Sequence, residues 1–296
     1  MTHDRYRQLV RCHIAPRIGA VRLAKIRPAH VQAVCDQMTA KGLAPRTVLH
    51  AYRLLSAALR QAVRWQMIPA SPAAAARPPR AERPALSVPR PEQLAVLFEA
   101  ADEGPFRVAL VLAATTGMRR GEILGLGWSE VDLDSGALRV TRTLQGTGDA
   151  LVFLDPKTDR SRRSITLAES AVAILRRHRR EQAARRLSFG RAWQDFGLVI
   201  DRGDGAPYEP NVLSHRYARL VRRLGMPKLR FHDLRHAYAT TLLEAGVHPK
   251  VASEAMGHAS VSFTMDTYQH LMPTMGAQAA EAIQAALGDA VSGAGD

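Results

Sequence analysis

Arg230–Val247 reads RFHDLRHAYATTLLEAGV. A helix opening here carries His232, Arg235 and His236 on barely more than one turn and on nearly the same face. Cations gathered at a helix start meet the positive end of its dipole, at a cost of a few tenths of a kcal/mol or more. Either the crowding is accidental or an anion sits beside it. Asp233 reads as the cap of the same helix. The chain on either side decides between the two.

The chain has 296 residues, enough for two domains with real cores. It carries 41 Lys+Arg against 27 Asp+Glu, a formal net charge of +14. Aliphatic residues are plentiful and aromatics are few, at 5%, which suits a helix-rich globular protein. The excess of positive charge favours nucleic acid or acidic membrane surfaces as partners. Cys12 and Cys35 are the only cysteines, so there is no disulfide framework and no multi-cysteine zinc module. No window approaches the roughly 18 consecutive apolar residues of a membrane span. The first residues lack the apolar centre of a signal peptide. A cytoplasmic protein, nucleoid-associated when bound to DNA, is the expectation.

The proline-rich stretch Pro69–Pro91 reads as unable to hold a helix and as the connection between two domains. The expected division is a helical domain over residues 1–80, a linker over 81–90 and a second domain over 91–296. Three helices are expected in the first: within DRYRQLVRCHI, within PAHVQAVCDQMTAKG, and across VLHAYRLLSAALRQAVRW. In the last, Val48, Tyr52, Leu55, Ala58, Leu59, Ala62 and Val63 recur at helical spacing. Arg46, Arg53, Arg60 and Arg64 read as spread round that helix, giving the domain a basic face.

The second domain reads as mixed. PEQLAVLFEAA and FRVALVLAATTG look helical, and AESAVAILRRHRREQAARR returns to helix. LRVTRTL, DALVFL and RSITL are short β-branched runs separated by QGTG and DPKTDRSR, expected as one three-stranded antiparallel meander. SEVDLDSGAL reads as a loop leading into it. The fold class expected is mainly α with a small antiparallel β-sheet.

Several residues have a joint chemical logic. Arg119 and Glu122 stand in TGMRRGEILGLGW, Lys157 in PKTDRSRRSITL, His232 and Arg235 in FHDLRH, and His258 and Tyr268 in MGHASVSFTMDTYQHL. Let the anion be a phosphodiester. Its nonbridging oxygens need fixed positive donors as phosphorus becomes five-coordinate, and guanidinium forks suit this best. Arg119 and Arg235 could supply two forks, and His258 a further donor. Tyr268 is the nucleophile at hand. With a pKa of about 10, only about a tenth of a per cent of it is phenolate at pH 7. Nearby cations lower that pKa, and His232 could take the proton as general base. Lys157 could protonate the leaving sugar oxygen. Glu122, one turn after Arg119, could orient a cationic group. Such a site uses side-chain cations where others use metal ions, and it calls for no cofactor. The chain has no Walker-type glycine–lysine loop.

These segments, in this order and spacing, resemble the tyrosine recombinases of the phage integrase family. The resemblance covers most of the chain after about Glu92. HIAPRIGAVRLAKIRPAHVQA and GLAPRTV resemble the family's core-type DNA-binding domain. The resemblance implies a helical, SAM-like core-binding domain followed by an α+β catalytic domain. It implies catalytic Arg119, Lys157, His232, Arg235, His258 and Tyr268, supported by Glu122, with a 3′-phosphotyrosyl intermediate and a free 5′-hydroxyl. It also implies double-stranded DNA as partner and a homo-tetramer on two paired sites, monomeric in free solution. Accessory DNA-bending proteins fit the same picture. Met118 and Met256 stand where the family more often has leucine, both harmless apolar exchanges. No arm-binding domain is expected ahead of the first helix, and the assigned start reads as late. The segment TMGAQAAEAIQAALGDAV reads as a short apolar helix that packs either on a neighbouring protomer or on its own core.

Three alternatives stay open at this point. His232 and His236 in HDLRH mimic a zinc-hydrolase helix, although Asp233 is a methylene shorter than the usual glutamate and Arg235 is badly placed beside a metal. A DNA-binding protein without catalysis would share the charge. A relaxing topoisomerase of the tyrosine type would share the chemistry.

Overall fold

The computed structural model describes residues 2–81, 87–155, 162–257 and 284–285. The chain divides into two compact units, Met1–Ala85 and Leu86–Asp296.

The first unit is helical. α1 (Thr2–Leu9) runs through a π-helical turn, Val10–Ile14, into the short α2 (Ala15–Ile18). α3 (Pro28–Ala40) and α4 (Pro45–Arg64) follow, each opened by a proline in its first turn, where no intrahelical N–H is lost. Gly42 takes a left-handed φ of 72° between them. Val48, Ala51, Leu55, Leu59 and Ala62 of α4 pack with Val31, Val34, Cys35 and Met38 of α3. Ala58, expected among the apolar row, is exposed, and Ala51 is buried in its stead.

The arginines of α4 are not spread round the helix. At about 100° per residue, Arg46, Arg53, Arg60 and Arg64 fall within a stripe roughly 40° wide, opposite the buried row. All four are exposed. Steps of seven and four residues return nearly to the same azimuth, which produces the stripe.

The proline-rich stretch is more structured than expected. Pro72–Ala75 forms a 3-10 turn in which Ala73 is fully buried. The Tyr52 hydroxyl donates to the Ala73 carbonyl at 2.9 Å, and the Arg77 N–H donates to Gln32 Oε1 at 2.8 Å. Alanines between the prolines are small enough to enter the core, so this part of the stretch packs with the first unit. Pro91 opens a helix of the second unit.

The second unit begins with α5 (Pro91–Ala100), the buried α6 (Pro105–Thr116) and the short α7 (Arg120–Gly125). Among the described residues five short strands follow: β1 (Val131–Asp132), β2 (Ala137–Val140), β3 (Thr143–Gln145), β4 (Val152–Leu154) and β5 (Arg163–Thr166). They form two antiparallel sheets, not one meander: a three-stranded sheet ordered β1-β2-β5 and a two-stranded sheet of β3 and β4. The segment read as a loop supplies β1, with Val131 opposite Leu138. The run LRVTRTL breaks at Arg142. Its Nε donates to the Gly125 carbonyl at 2.7 Å and its guanidinium lies 4.9 Å from the Phe153 ring centre. That side chain sits where the backbone passes from one ladder into the other. Gly121 and Gly125 let α7 lie against β3, because a methyl at Gly121 would sit 2.8 Å from the Leu144 carbonyl oxygen.

α8 (Glu169–Phe189), α9 (Pro210–Arg223), α10 (Asp233–Glu244) and α11 (Pro249–Met256) complete the described part. A large apolar core holds the described part of the unit, with Leu110, Leu124, Leu138, Leu175, Leu213 and Leu234 all at or below 1% exposure, and Ala239 and Met256 form a small second cluster. Among the described residues no helix is long and apolar enough to cross a membrane.

Candidate active site

The site is built on a buried carboxylate. Glu122 lies in the first turn of α7, and Arg119 is that helix's N-cap residue. Glu122 Oε2 accepts the Arg119 backbone N–H at 3.0 Å, which closes the turn, and Oε1 accepts the Arg119 guanidinium at 2.7 Å. A second guanidinium arrives from β5: Arg163 Nη2 donates to Oε2 at 3.0 Å. Burial pushes the Glu122 pKa up. The charge and hydrogen bond of Arg163, with those of Arg119, outweigh it and leave the carboxyl below its ordinary range. Glu122 is therefore an anion holding two cations, and the cluster keeps one net positive charge.

A third guanidinium comes from α10. Arg235 is 3% exposed, unusual for an arginine, and a buried cation must have its N–H groups satisfied. It donates to the carbonyl of Gly117 and, at 2.6 Å, to that of Met256. Arg119 Nη2 donates to the Gly257 carbonyl at 2.8 Å, and Arg163 Nε to that of Ala255 at 2.8 Å. Three guanidiniums from three elements thus meet three successive carbonyls at the end of α11. A helix leaves its last carbonyls without intrahelical partners, and its C-terminal end is the negative pole of its dipole. The cations are matched to it.

Gly117 is held by two requirements. It ends α6 in the left-handed region, with φ of 61°, and an added methyl would press into the Tyr238 ring, 2.9 Å from Cε1. The Tyr238 ring therefore packs against bare backbone. Burial pushes the Tyr238 phenol up, against the pull of Arg163 and Arg235, so it stays protonated.

The histidine crowding at the start of α10 is resolved by neutrality. The His232 and His236 rings meet edge to face, 5.0 Å between centres. His232 is exposed, while neighbouring protein atoms desolvate its ring in part. Desolvation, then the neighbouring His236 and Arg235, push its pKa down to about 4. His236 is also lowered, first by desolvation. His232 is therefore an uncharged imidazole at neutral pH, able to accept a proton. Asp233 does not take the capping role expected of it. His232 is the N-cap, and the buried Asp233 carboxylate accepts the Arg230 backbone N–H at 2.7 Å and the Arg230 guanidinium at 2.8 Å. The carboxylate is drawn back because Arg230, three residues earlier, offers both a backbone and a charged donor.

That geometry bears on the zinc alternative. The acid of HDLRH is engaged by Arg230, and Arg235 lies on the same turn as both imidazoles. Among the described residues no three His, Cys, Asp or Glu side chains are grouped to hold a metal ion.

Of the expected site residues, Arg119, Glu122, His232 and Arg235 are described; Arg119 and Arg235 meet at the end of α11, and Glu122 is paired to Arg119. Lys157, His258 and Tyr268 lie outside the described residues, as does the expected C-terminal helix apart from residues 284–285. Arg163 was not singled out from the sequence. Its signal was available: Arg163 and Ile165 share one face of a strand, and Ile165 is buried. A charge on the buried face of a strand needs a partner inside.

Residues 89–275 match the phage integrase family. The chain belongs to the phage integrase family of tyrosine recombinases. Within the family it is 30% identical over 208 residues to a XerC-like tyrosine recombinase of Caldanaerobacter subterraneus, covering 65% of this chain and 52% of that protein. An integrase of Saccharopolyspora erythraea is 26% identical, over 91% of this chain and 74% of its own length. The chain thus spans about half of the first relative and about three quarters of the second. The same fold occurs in the Tn1549 transposon integrase bound to transposon right end DNA. There the TM-score is 0.79 at 22% identity, with 90% of this chain and 88% of that chain covered. A lambda integrase dimer on a core site matches with a TM-score of 0.64 at 18% identity, covering 90% of this chain and 71% of the other.

Proposed function

We propose that this integrase-family chain cleaves and rejoins duplex DNA at specific sites by two transesterifications. Tyr268 Oη attacks the scissile phosphorus and the P–O5′ bond breaks. The phenolic proton passes to neutral His232, and Lys157 protonates the departing 5′-oxygen. A 3′-phosphotyrosyl bond and a free 5′-hydroxyl result. Attack by a second strand's 5′-hydroxyl reverses the steps and releases the tyrosine. The phosphodiester's energy is kept in the covalent intermediate, so resealing requires no nucleotide. Arg119, Arg235 and His258 take the nonbridging oxygens as negative charge builds on them. Glu122 orients Arg119.

The observation that carries this reading is the placement of Arg119 and Arg235 on adjacent residues, Gly257 and Met256, directly before His258 in the chain. The Arg119 side chain remains 39% exposed and can still present N–H groups outward.

The same reading assigns residues 1–80 to core-type DNA binding and 91–296 to catalysis, joined by 81–90. The exposed arginine stripe of α4 suits a phosphate backbone. The working assembly is four protomers on two paired DNA sites, monomeric when free, with accessory DNA-bending proteins as further partners. Its place is the cytoplasm, on the nucleoid.

The test is covalent capture. A pool of nicked duplexes with randomised core sequence traps the protein on DNA, because the short strand beyond the nick diffuses away after cleavage. Wild-type protein should give an adduct that survives denaturation. Tyr268→Phe should bind the captured duplex normally and give none. Wild-type levels of adduct from that variant would remove Tyr268 from its role.

A further inference from the structure

We propose that Arg163 is a positioning residue for strand transfer, fixing the end of α11 from which the chain runs on to His258 and Tyr268. The inference rests on the roles proposed above for those two residues.

Arg163 is the first residue of β5, and its register opposite Val140 is set by the β2–β5 ladder. Its side chain is 8% exposed. From that fixed base the guanidinium reaches Glu122 through Nη2 at 3.0 Å and the Ala255 carbonyl through Nε at 2.8 Å. One planar group therefore ties the sheet, the α7 carboxylate and the last turn of α11. α11 has eight residues and ends at Gly257 in the left-handed region, with φ of 62°. Buried Ala252 and Met256 pack α11 into the unit, and the groups that grip its terminal carbonyls add to what fixes its exit.

Three guanidiniums grip them, and they are not equivalent. In the proposed chemistry Arg119 and Arg235 turn N–H groups to the phosphate as it becomes five-coordinate. Arg163, whose side chain is buried like that of Arg235, differs in bridging the Glu122 carboxylate of α7 and the Ala255 carbonyl of α11 with one planar group. It holds the helix end while the other two serve the phosphate. Arg163 also stands six residues after Lys157 in the chain. A competing role for it is therefore to steady the strand that leads from Lys157.

Two substitutions separate these roles. Arg163→Lys keeps a cation for Glu122 but cannot reach both partners with a planar fork. Arg163→Gln removes the charge. Each is compared with wild type in single-turnover adduct formation at saturating captured duplex, in DNA affinity and in thermal melting. The adduct rate of Arg163→Lys should fall by about 10- to 100-fold, within the range seen when positioning groups are removed. Its Kd should stay within about threefold and its melting close to that of wild type. If Arg163→Gln fails to fold, Arg163→Lys decides alone.

A duplex with sulfur in place of the bridging 5′-oxygen completes the test. A thiolate leaves without a proton donor, so this substrate bypasses the acid. The Arg163→Lys defect should persist on it, because attack by the tyrosine is what is misaligned. Full recovery on the sulfur duplex would overturn the assignment to α11 and move it to the Lys157 strand. An adduct rate within twofold of wild type on the ordinary duplex would overturn the positioning role outright. Wild-type protein that forms no adduct on any duplex would overturn the reading of Tyr268, and this inference with it.

Discussion

Glu122→Gln tests the centre of the site. The substitution preserves shape but replaces a carboxylate that accepts three donors: the Arg119 N–H, the Arg119 guanidinium and the Arg163 guanidinium. The amide keeps one acceptor oxygen and turns an NH2 toward a cation. Breaking a buried ion pair by removing one partner costs about 3–5 kcal/mol, because the remaining charge is left uncompensated. Arg163 bears that in full at 8% exposure, whereas Arg119, at 39%, recovers much of it from water. About 2–4 kcal/mol is the net expectation. For a unit the size of Leu86–Asp296 this lowers Tm by roughly 10 °C. The sign with pH follows from the depressed carboxyl. Its folded-state pKa lies below the unfolded value of about 4.3, so its contribution is complete above that value. It is lost as pH falls through the folded pKa, and glutamine at this position does not titrate. The gap between wild type and Glu122→Gln should therefore be full at neutral pH and close below about pH 4. Urea melts followed by tryptophan fluorescence measure it, with Trp128 and Trp193 inside this unit. A variant within about 0.5 kcal/mol of wild type at pH 7, or a gap that survives unchanged in acid, would refute the argument.

Two further outcomes follow from the same structure. Replacing Arg53 and Arg60 by Gln should flatten the dependence of log Kd on log salt by about 0.9 for each phosphate no longer neutralised. Adduct formation at saturating protein should be unaffected; an unchanged slope removes the α4 stripe from the DNA interface. If His232 accepts the tyrosine proton, its pKa of about 4 keeps it competent far below neutrality. The ratio of wild-type to His232→Gln adduct rates should then hold steady from pH 8 to about 5.5 and fall toward pH 4, by the ordinary titration of a base. A loss of that ratio centred near 6.5, the ordinary imidazole value, contradicts the assignment.

The helices were legible because their signals are local. α4 shows its core row as repeated apolar spacing, and Pro45 marks its first turn. The sheets were legible as strands but not as pairings. Nothing within LRVTRTL announces that β2 and β3 join different sheets; the break falls at Arg142, which reaches a carbonyl of α7 and a ring of β4. Those are contacts between elements distant in sequence, and a local reading cannot order them. The 3-10 turn at Pro72–Ala75 was missed for a similar reason. Its prolines argue for an open linker, and only the core around Ala73 and the Tyr52 hydroxyl argue otherwise.

The candidate site divides along the same line. Arg119, Glu122, His232 and Arg235 were each visible as motif residues, but the part that organises them was not. The end of α11 draws three guanidiniums together, and its carbonyls are backbone groups without any side-chain signature. Arg163 shows how such a centre can still be sensed from sequence. In RSITL the isoleucine fixes which face is buried, and the arginine two residues before it falls on that face. An uncompensated charge there would cost several kcal/mol, so a buried acid has to be waiting for it. Glu122, just after Arg119, is the nearest motif acid with no other duty than to orient a cation. Joining the two ties the strand after Lys157 to the first arginine of the site on the strength of strand alternation and charge balance alone.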